Sequence, residues 1–346
     1  MSPPLIDQQI VHGAGQIRWK KFRQQIVAMV SLGLLCFFLF LSLTAEFWAN
    51  NRPLLMKYQG QIYFPVFFET HPSDLGQTDL SQTDYRALQP GAGDWSLWPV
   101  IRWNPYESNS GVDHYPSPPT SSNWLGTDEH GRDVVARLLY GLRTTMIFAF
   151  GSWILTSLLG SLLGAIMGYF AGWMDLVGMR IVEIVECLPM TFILLTVISV
   201  CAPNLGVLIL LMTVVGWTNS AIYVRAQFLS LRNSQFIEGA RALGATPWQI
   251  MLKHLLPNSL TPLVTFAPLT IASYISLLSY LDYLGLGLTA PTPSWGELLS
   301  EAQHSFGVAE WLVWGPVSVL VLTLILLMNV GTALRNALDP MSETKN

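Results

Sequence analysis

Six stretches of this chain are long and apolar enough to cross a bilayer as helices, and this constrains its fold more than any other feature. A hydrocarbon core of about 30 Å needs roughly 20 apolar residues in helical conformation. The stretches are 26–45, 144–170, 181–202, 206–224, 259–280 and 311–333. Composition agrees. Only 12% of the 346 residues are charged and 51% are hydrophobic, whereas a soluble domain carries about 25% charged residues. Eighteen basic and 22 acidic residues cannot coat a soluble globule of this size. The same apolarity excludes disorder. The expected class is an all-α polytopic membrane protein with six transmembrane helices.

Basic residues near helix ends set the orientation. Arg18, Lys20, Lys21 and Arg23 precede the first block, which predicts a cytoplasmic N-terminus; six spans return the C-terminus to the same side. On that topology 11 of the 18 basic residues are cytoplasmic and 15 of the 22 acids lie outside. The expected parts are a cytoplasmic tail (1–25), an anchor helix (26–45), an outer insertion (46–143), a core (144–335) with a cytoplasmic loop at 225–258, and a C-terminal tail (336–346). The first block is longer than the roughly 7–15 residues of a signal-peptide core, so a retained anchor is expected. Cys36, Cys187 and Cys201 all fall within apolar blocks, which leaves the outer insertion without a disulfide.

No G-x-x-x-x-G-K-S/T, H-E-x-x-H, Cys-x-x-Cys or G-x-S-x-G motif occurs, and the six histidines are scattered. The chain is therefore not expected to be an enzyme or to bind a metal or cofactor, and energised work needs a partner or an ion gradient. The insertion is rich in proline and turn residues. It reads as irregular structure stiffened by Trp95, Trp98, Trp103 and Trp124, ending in an amphipathic interfacial helix from about Gly131 to Arg143. Its acidic balance fits a cationic cargo and fits solubility alone.

The loop at 225–258 is the most informative segment. Asn233 or Ser234 can cap a helix. Phe236, Ala240 and Leu243 then share one face, and Gly244 sits where a left-handed cap favours glycine. Thr246 and Gln249 form a capping box with Pro247 at the first helical position. Pro257 is expected to end the second helix. Two short helices hinged at a glycine would leave Phe236, Trp248, Ile250 and Met251 available for contact. The segment serves equally well as a connector lying on its own membrane domain or as a docking element for a cytoplasmic motor.

Glu238-Gly239-Ala240, three residues, Gly244, then Leu256-Pro257 resembles the EAA loop of ABC importer permeases. The chain departs from that pattern at Gly239 (for Ala) and His254 (for Ile), and His254 in His-Leu-Leu-Pro-Asn resembles the peptide/nickel subfamily. Trp124-Leu125-Gly126-Thr127-Asp128 with Gly131-Arg132-Asp133, Leu284-Gly285-Leu286-Gly287 with Pro291-Thr292-Pro293-Ser294-Trp295-Gly296, and Ala337-Leu338-Asp339-Pro340 resemble dipeptide and oligopeptide permease subunits, in the same order. The stretch from Asn51-Arg52-Pro53-Leu54-Leu55 through Tyr63-Phe64-Pro65 is most similar to the second permease of microcin C-type peptide importers. The resemblance implies a type I ABC importer permease in a bacterial inner membrane. It also implies a second homologous permease, two ATPase subunits or one fused ATPase that bind ATP and Mg, and a periplasmic solute-binding protein. Lipid surrounds the chain, and no nucleic-acid partner is expected.

Gly160, Gly164, Gly168 and Gly172 recur every four residues, with Thr156 extending the row. This predicts a packing seam where another backbone approaches closely. Glu183 and Glu186 lie in the third block. They either snorkel and pair with Arg180 or face the cytoplasmic mouth of a pathway. Pro189, Pro262 and Pro268 are expected to let their helices bend. The alternative to an ATP-driven importer is a proton-coupled secondary transporter using Glu183 and Glu186. A membrane-anchored assembly or sensor protein is a third reading.

Overall fold

The computed structural model describes residues 14–77, 83–88, 91, 93–200 and 204–338. Cys201 and the Asp339-Pro340 ending lie outside them. α1 (Ala14–Arg23) leads into α2 (Ile26–Leu43) and the single turn α3 (Ala45–Trp48). Phe22 and Ala28 bury against Val330, Ala333 and Ala337 of a later helix, α13 (Trp311–Leu338), so the anchor joins the core.

The insertion is not wholly irregular. β1 (Leu55–Tyr58), β2 (Gln61–Tyr63) and β3 (Trp95–Leu97) form an antiparallel sheet in the order β2-β1-β3, with Met56 opposite Tyr63 and Lys57 opposite Trp95. Strands of three and four residues are too short to leave a period-2 signal. Met56, Leu75 and Tyr85 make its small core, with Trp98 against it.

α4 (Val134–Phe170) corrects two boundaries at once. The amphipathic stretch is not a separate interfacial helix. It forms the first turns of one continuous helix of 37 residues, capped by Asp133, whose carboxylate accepts from the Ala136 amide at 2.7 Å. Such a helix is about 55 Å long, well beyond the hydrocarbon core. Part of it therefore extends beyond the bilayer, and its first turns carry Arg137, which is fully buried.

The third block also changes. α5 (Gly172–Cys187) starts nine residues before position 181, and α6 (Met190–Val200) follows after a bend of 74° at Leu188-Pro189. Proline removes a helical donor and restricts the residue before it, so the bend falls where Pro189 predicted it. Among the described residues, five helices are long and apolar enough to span, and this bent pair makes a sixth if counted as one.

α7 (Leu205–Leu231) runs against α4 for most of its length. The loop beyond it folds into α8 (Gln235–Ala242), the single turn α9 (Pro247–Gln249), a π-helical turn at Ile250–Leu255 and α10 (Leu256–Ser259). It then continues into α11 (Thr261–Tyr283), so Pro257 does not end the path. α12 (Trp295–His304) precedes α13. Pro262 sits in the first turn of α11, where a missing amide costs nothing, and so it does not bend the helix. Pro268 lies inside α11, buried, and Pro316 inside α13 is a second internal proline.

The small-residue row is the α4–α7 seam. A Cβ on Gly160 would lie 2.5 Å from the Trp217 carbonyl, one on Gly164 would collide with the Ala221 carbonyl, and one on Gly168 would lie 2.8 Å from the Arg225 carbonyl. Gly172 is not part of it. It follows the helix break with φ +54° and meets nothing within 4 Å. Thr156 continues the row onto α11, accepting from the Tyr274 hydroxyl at 3.3 Å. Asp175 and Arg225 pair across α5 and α7.

At Gly164 every obstructing atom belongs to the Ala221 backbone, so the seam cannot yield there by rotating a side chain. Gly164→Val is expected to destabilise the purified chain by about 1–3 kcal/mol, read as a lower thermal midpoint in detergent. Gly33→Val, where a Cβ meets nothing within 4 Å, should leave the midpoint unchanged.

Candidate functional site

The loop between α7 and α11 is held from below and open above. Ile237, Ile250, Met251 and Leu255 are buried with Ala165 of α4, Val224 and Phe228 of α7 and Leu263 of α11. The Thr246–Gln249 capping box forms as expected. Ser234 takes the N-cap position of α8, but its hydroxyl turns back to the Leu231 carbonyl at 2.6 Å. Gly244 has φ +84°, and its amide meets the Arg241 carbonyl at 3.0 Å, as the left-handed cap requires. Arg241 lies 5.9 Å over the Tyr169 ring and ties α8 to the end of α4.

Of the four residues expected to be available for contact, Phe236 and Trp248 are exposed and Ile250 and Met251 are not. Phe236 is 48% exposed and Leu243 is 91% exposed, whereas Ile250 and Met251 are buried. Phe236, Leu243, Trp248 and Leu252 thus leave apolar surface uncovered; Glu238, two positions after Phe236 and so on another side of α8, is exposed and has no side-chain partner among the described residues. Ala240 is half-buried, and Gly239 faces open space. Leu256 packs against the same buried cluster, and Pro257 is exposed.

At the opposite end of α4 a buried ionic clamp joins two distant motifs. Arg132 Nε donates to Asp128 at 2.6 Å and its Nη2 to Glu301 at 2.6 Å. Arg137 donates to Glu297 at 2.5 Å and lies 3.3 Å from Asp128. The Trp295 indole donates to the Leu138 carbonyl at 3.1 Å, and Gly141 offers no Cβ to obstruct that ring. Asp128, His130 and Glu301 place ligand atoms within 4.8 Å of one another, but the Arg132 guanidinium already bridges the two carboxylates. That cluster is an arginine site.

Between these ends, α4, α6, α7 and α11 enclose a recess of about 330 Å³. Trp153, Asn219, Tyr223, Thr270 and Ser273 give it a mixed polar and aromatic lining suited to an uncharged or amphipathic solute.

A family model described as binding-protein-dependent transport system inner membrane component matches residues 139–342. The chain belongs to this family. This permease is 38% identical to the inner membrane ABC transporter permease protein YejE of Escherichia coli K12, over 94% of this chain and 96% of the relative. It is 36% identical to the peptidoglycan transport system permease protein YejE of Agrobacterium fabrum, over 93% and 92%. The oligopeptide transport system permease protein OppC of Bacillus subtilis is 33% identical over 64% of this chain and 73% of the relative.

The permease does not gather its predicted site residues into one place. Glu238, Gly239, Ala240, Gly244 and Trp248 share the loop surface, and Ile250 anchors it. Glu183 pairs with Arg180 at 2.5 Å on the exposed side of α5, and Glu186 is also exposed. Neither acid lines the recess. Pro189 stands beside Met190, which does line the recess; Pro268, one residue before the lining Leu269, lies where a Cβ on Gly331 of α13 would touch it.

Sequence reasoning missed the clamp. Its signals were Arg132 and Arg137 inside an apolar period and the i,i+4 pair Glu297 and Glu301. Three acids face two arginines there. Burial, and then the Asp128 charge, push the Glu301 carboxyl up to about 7 from 4.5. A raised carboxyl stabilises the fold below its unfolded value and loses that contribution as pH rises through about 7. The thermal midpoint of the permease should therefore rise between pH 8 and pH 6, and Glu301→Gln should flatten that rise. An equal slope in both proteins would show that Glu301 ionises normally.

Proposed function

We propose that this chain is one of two permeases in an ATP-driven importer of peptides or peptide-like solutes, and that the loop after α7 is the docking element for the ATPase. The carrying observation is the uncovered face of Phe236, Leu243, Trp248 and Leu252 on a loop whose other face is locked into α4, α7 and α11. An exposed apolar face on a rigid mount fits a partner groove. Glu238, in the first turn of α8, adds a charge that a cationic partner residue can meet. The names of the relatives supply the cargo class, and a microcin C-type or other modified peptide falls within it.

In this reading both termini and the loop are cytoplasmic, and the insertion faces the binding protein. The core has the type I importer arrangement. ATP and Mg reside on the partner ATPase subunits. ATP binding draws those subunits together, the docked loops follow, and each loop moves the ends of α4, α7 and α11 to which it is fixed. The recess then alternates in access, with bends at Pro189 and Pro268 accommodating the change. Such a switch requires ATP and cargo to bind the two states with different affinities.

The test is cargo-stimulated ATP hydrolysis by the purified assembly. Glu238→Ala and Gly244→Asp are expected to reduce stimulation by roughly 5- to 150-fold, the span of ordinary coupling energies, with the chain still inserted. Gly244→Asp acts through backbone, because a side chain at φ +84° is strained. Uptake that persists without ATP and collapses with the proton gradient would refute the reading. Separately, unchanged uptake in Pro268→Ala would remove that proline from the opening motion.

A further inference from the structure

The insertion carries a feature that neither docking nor the helical pathway uses. Two recesses adjoin on its surface, of about 470 Å³ and about 350 Å³. Arg86 and Arg102 line both. The larger also has Trp103 and Trp124 in its wall, and the smaller has Lys57 and Trp95. Volumes of this size hold small ligands.

Their chemistry is specific. Arg86 lies 4.3 Å over the Trp103 ring and is paired with Glu107. Arg102 lies 5.4 Å over the Trp98 ring and has no carboxylate partner among the described residues; the same holds for Lys57. Asp94 is the acid of the smaller wall, and its oxygens are taken by the Gln59 and Gly91 amides. Two tryptophans are immobilised by indole hydrogen bonds, Trp103 to the Ser122 carbonyl at 2.9 Å and Trp98 to the Ser96 hydroxyl at 2.8 Å. Trp95 and Trp124 instead stay 47% and 56% exposed. Asp133 is the acid of the larger wall, and its oxygens accept from the Asn123 side chain and the Ala136 amide. Among the described residues, Arg102 and Lys57 thus stand without a carboxylate partner among ring faces, in a segment where acids outnumber bases.

The geometry points to a binding site for a short peptide or peptide conjugate that carries a free carboxylate next to a stackable ring. Arg102 and Lys57 would take the carboxylate, since a guanidinium presents paired donors to it. Trp95 or Trp124 would take the ring, aromatic or sugar, on its apolar face. The site rests on the peptide-import reading and deepens it. It gives the permease its own contact with the cargo at the mouth, ahead of the recess between α4, α6, α7 and α11. The acidic exterior favours cationic cargo in bulk, and the recess selects for the anionic end.

The test uses the complete transporter in nanodiscs without its binding protein, with tryptophan fluorescence as readout. The probes are the tripeptide Ala-Phe-Glu, its doubly amidated form (C-terminal amide and Gln in place of Glu), Ala-Ala-Glu, and muramyl dipeptide. Ala-Phe-Glu is expected to bind. Arg102→Gln should weaken it about tenfold, the value of one hydrogen bond to a charged group, and should not change the weaker binding of the amidated form. Muramyl dipeptide binding while Ala-Ala-Glu does not would assign the ring site to sugars as well as aromatics. Equal binding of Ala-Phe-Glu by wild type and Arg102→Gln, or no binding by wild type, would overturn the proposal. So would Arg102→Gln weakening only the affinity for the binding protein, which would make the recess a docking surface. Binding-protein-delivered uptake measured in the same nanodiscs tests the import reading independently, so the two failures are distinguishable.

Discussion

The close approach of α4 and α7 is the constraint on which the rest of this permease depends. Gly160, Gly164 and Gly168 leave room only for the backbone of Trp217, Ala221 and Arg225. In a bilayer, association gains little from hydrophobic burial, because lipid is as apolar as leucine; close backbone packing takes its place. A seam of this kind makes α4 and α7 move as one body. Each end of that body carries a built feature. One end holds the loop proposed to dock the ATPase, through Ile237, Ile250, Met251 and Leu255. The other holds the clamp of Arg132 and Arg137 with Asp128, Glu297 and Glu301.

The clamp explains how a long α4 leaves the bilayer without fraying. Arg137 is fully buried, so removing it would strand the carboxylates it faces, and uncompensated buried charge is costly. The clamp also ties α12 to the start of α4.

Hydropathy alone located the helices but not their ends, and the reason is physical. The helix predicted from position 144 begins at Val134 because Arg137 and Arg143 lower the local hydropathy, yet both are paired, Arg143 with Glu46. The helix predicted from position 181 begins at Gly172 because Asp175, Arg180 and Glu183 mask an apolar face that includes the buried Val182. Within the loop, glycine and capping residues were legible because their chemistry is local. Which apolar face points inward was not. α8 carries apolar residues on both faces, and only the packing shows that Ile237 faces the core and Leu243 faces out. The recesses of the insertion and the ionic clamp escaped for a related reason. They join residues far apart in sequence, as Arg132 and Glu301 are, and no periodicity encodes such pairs.

The central claim is that the exposed face of the loop, and not its buried face, engages the ATPase. Cysteine cross-linking in the assembled transporter tests it most directly, with the native cysteines replaced. Leu243→Cys is expected to form a disulfide with a cysteine in the ATPase groove and to block cargo-stimulated hydrolysis until reduced, while Ile250→Cys remains unreactive. Cross-linking at Ile250→Cys with none at Leu243→Cys would contradict the account.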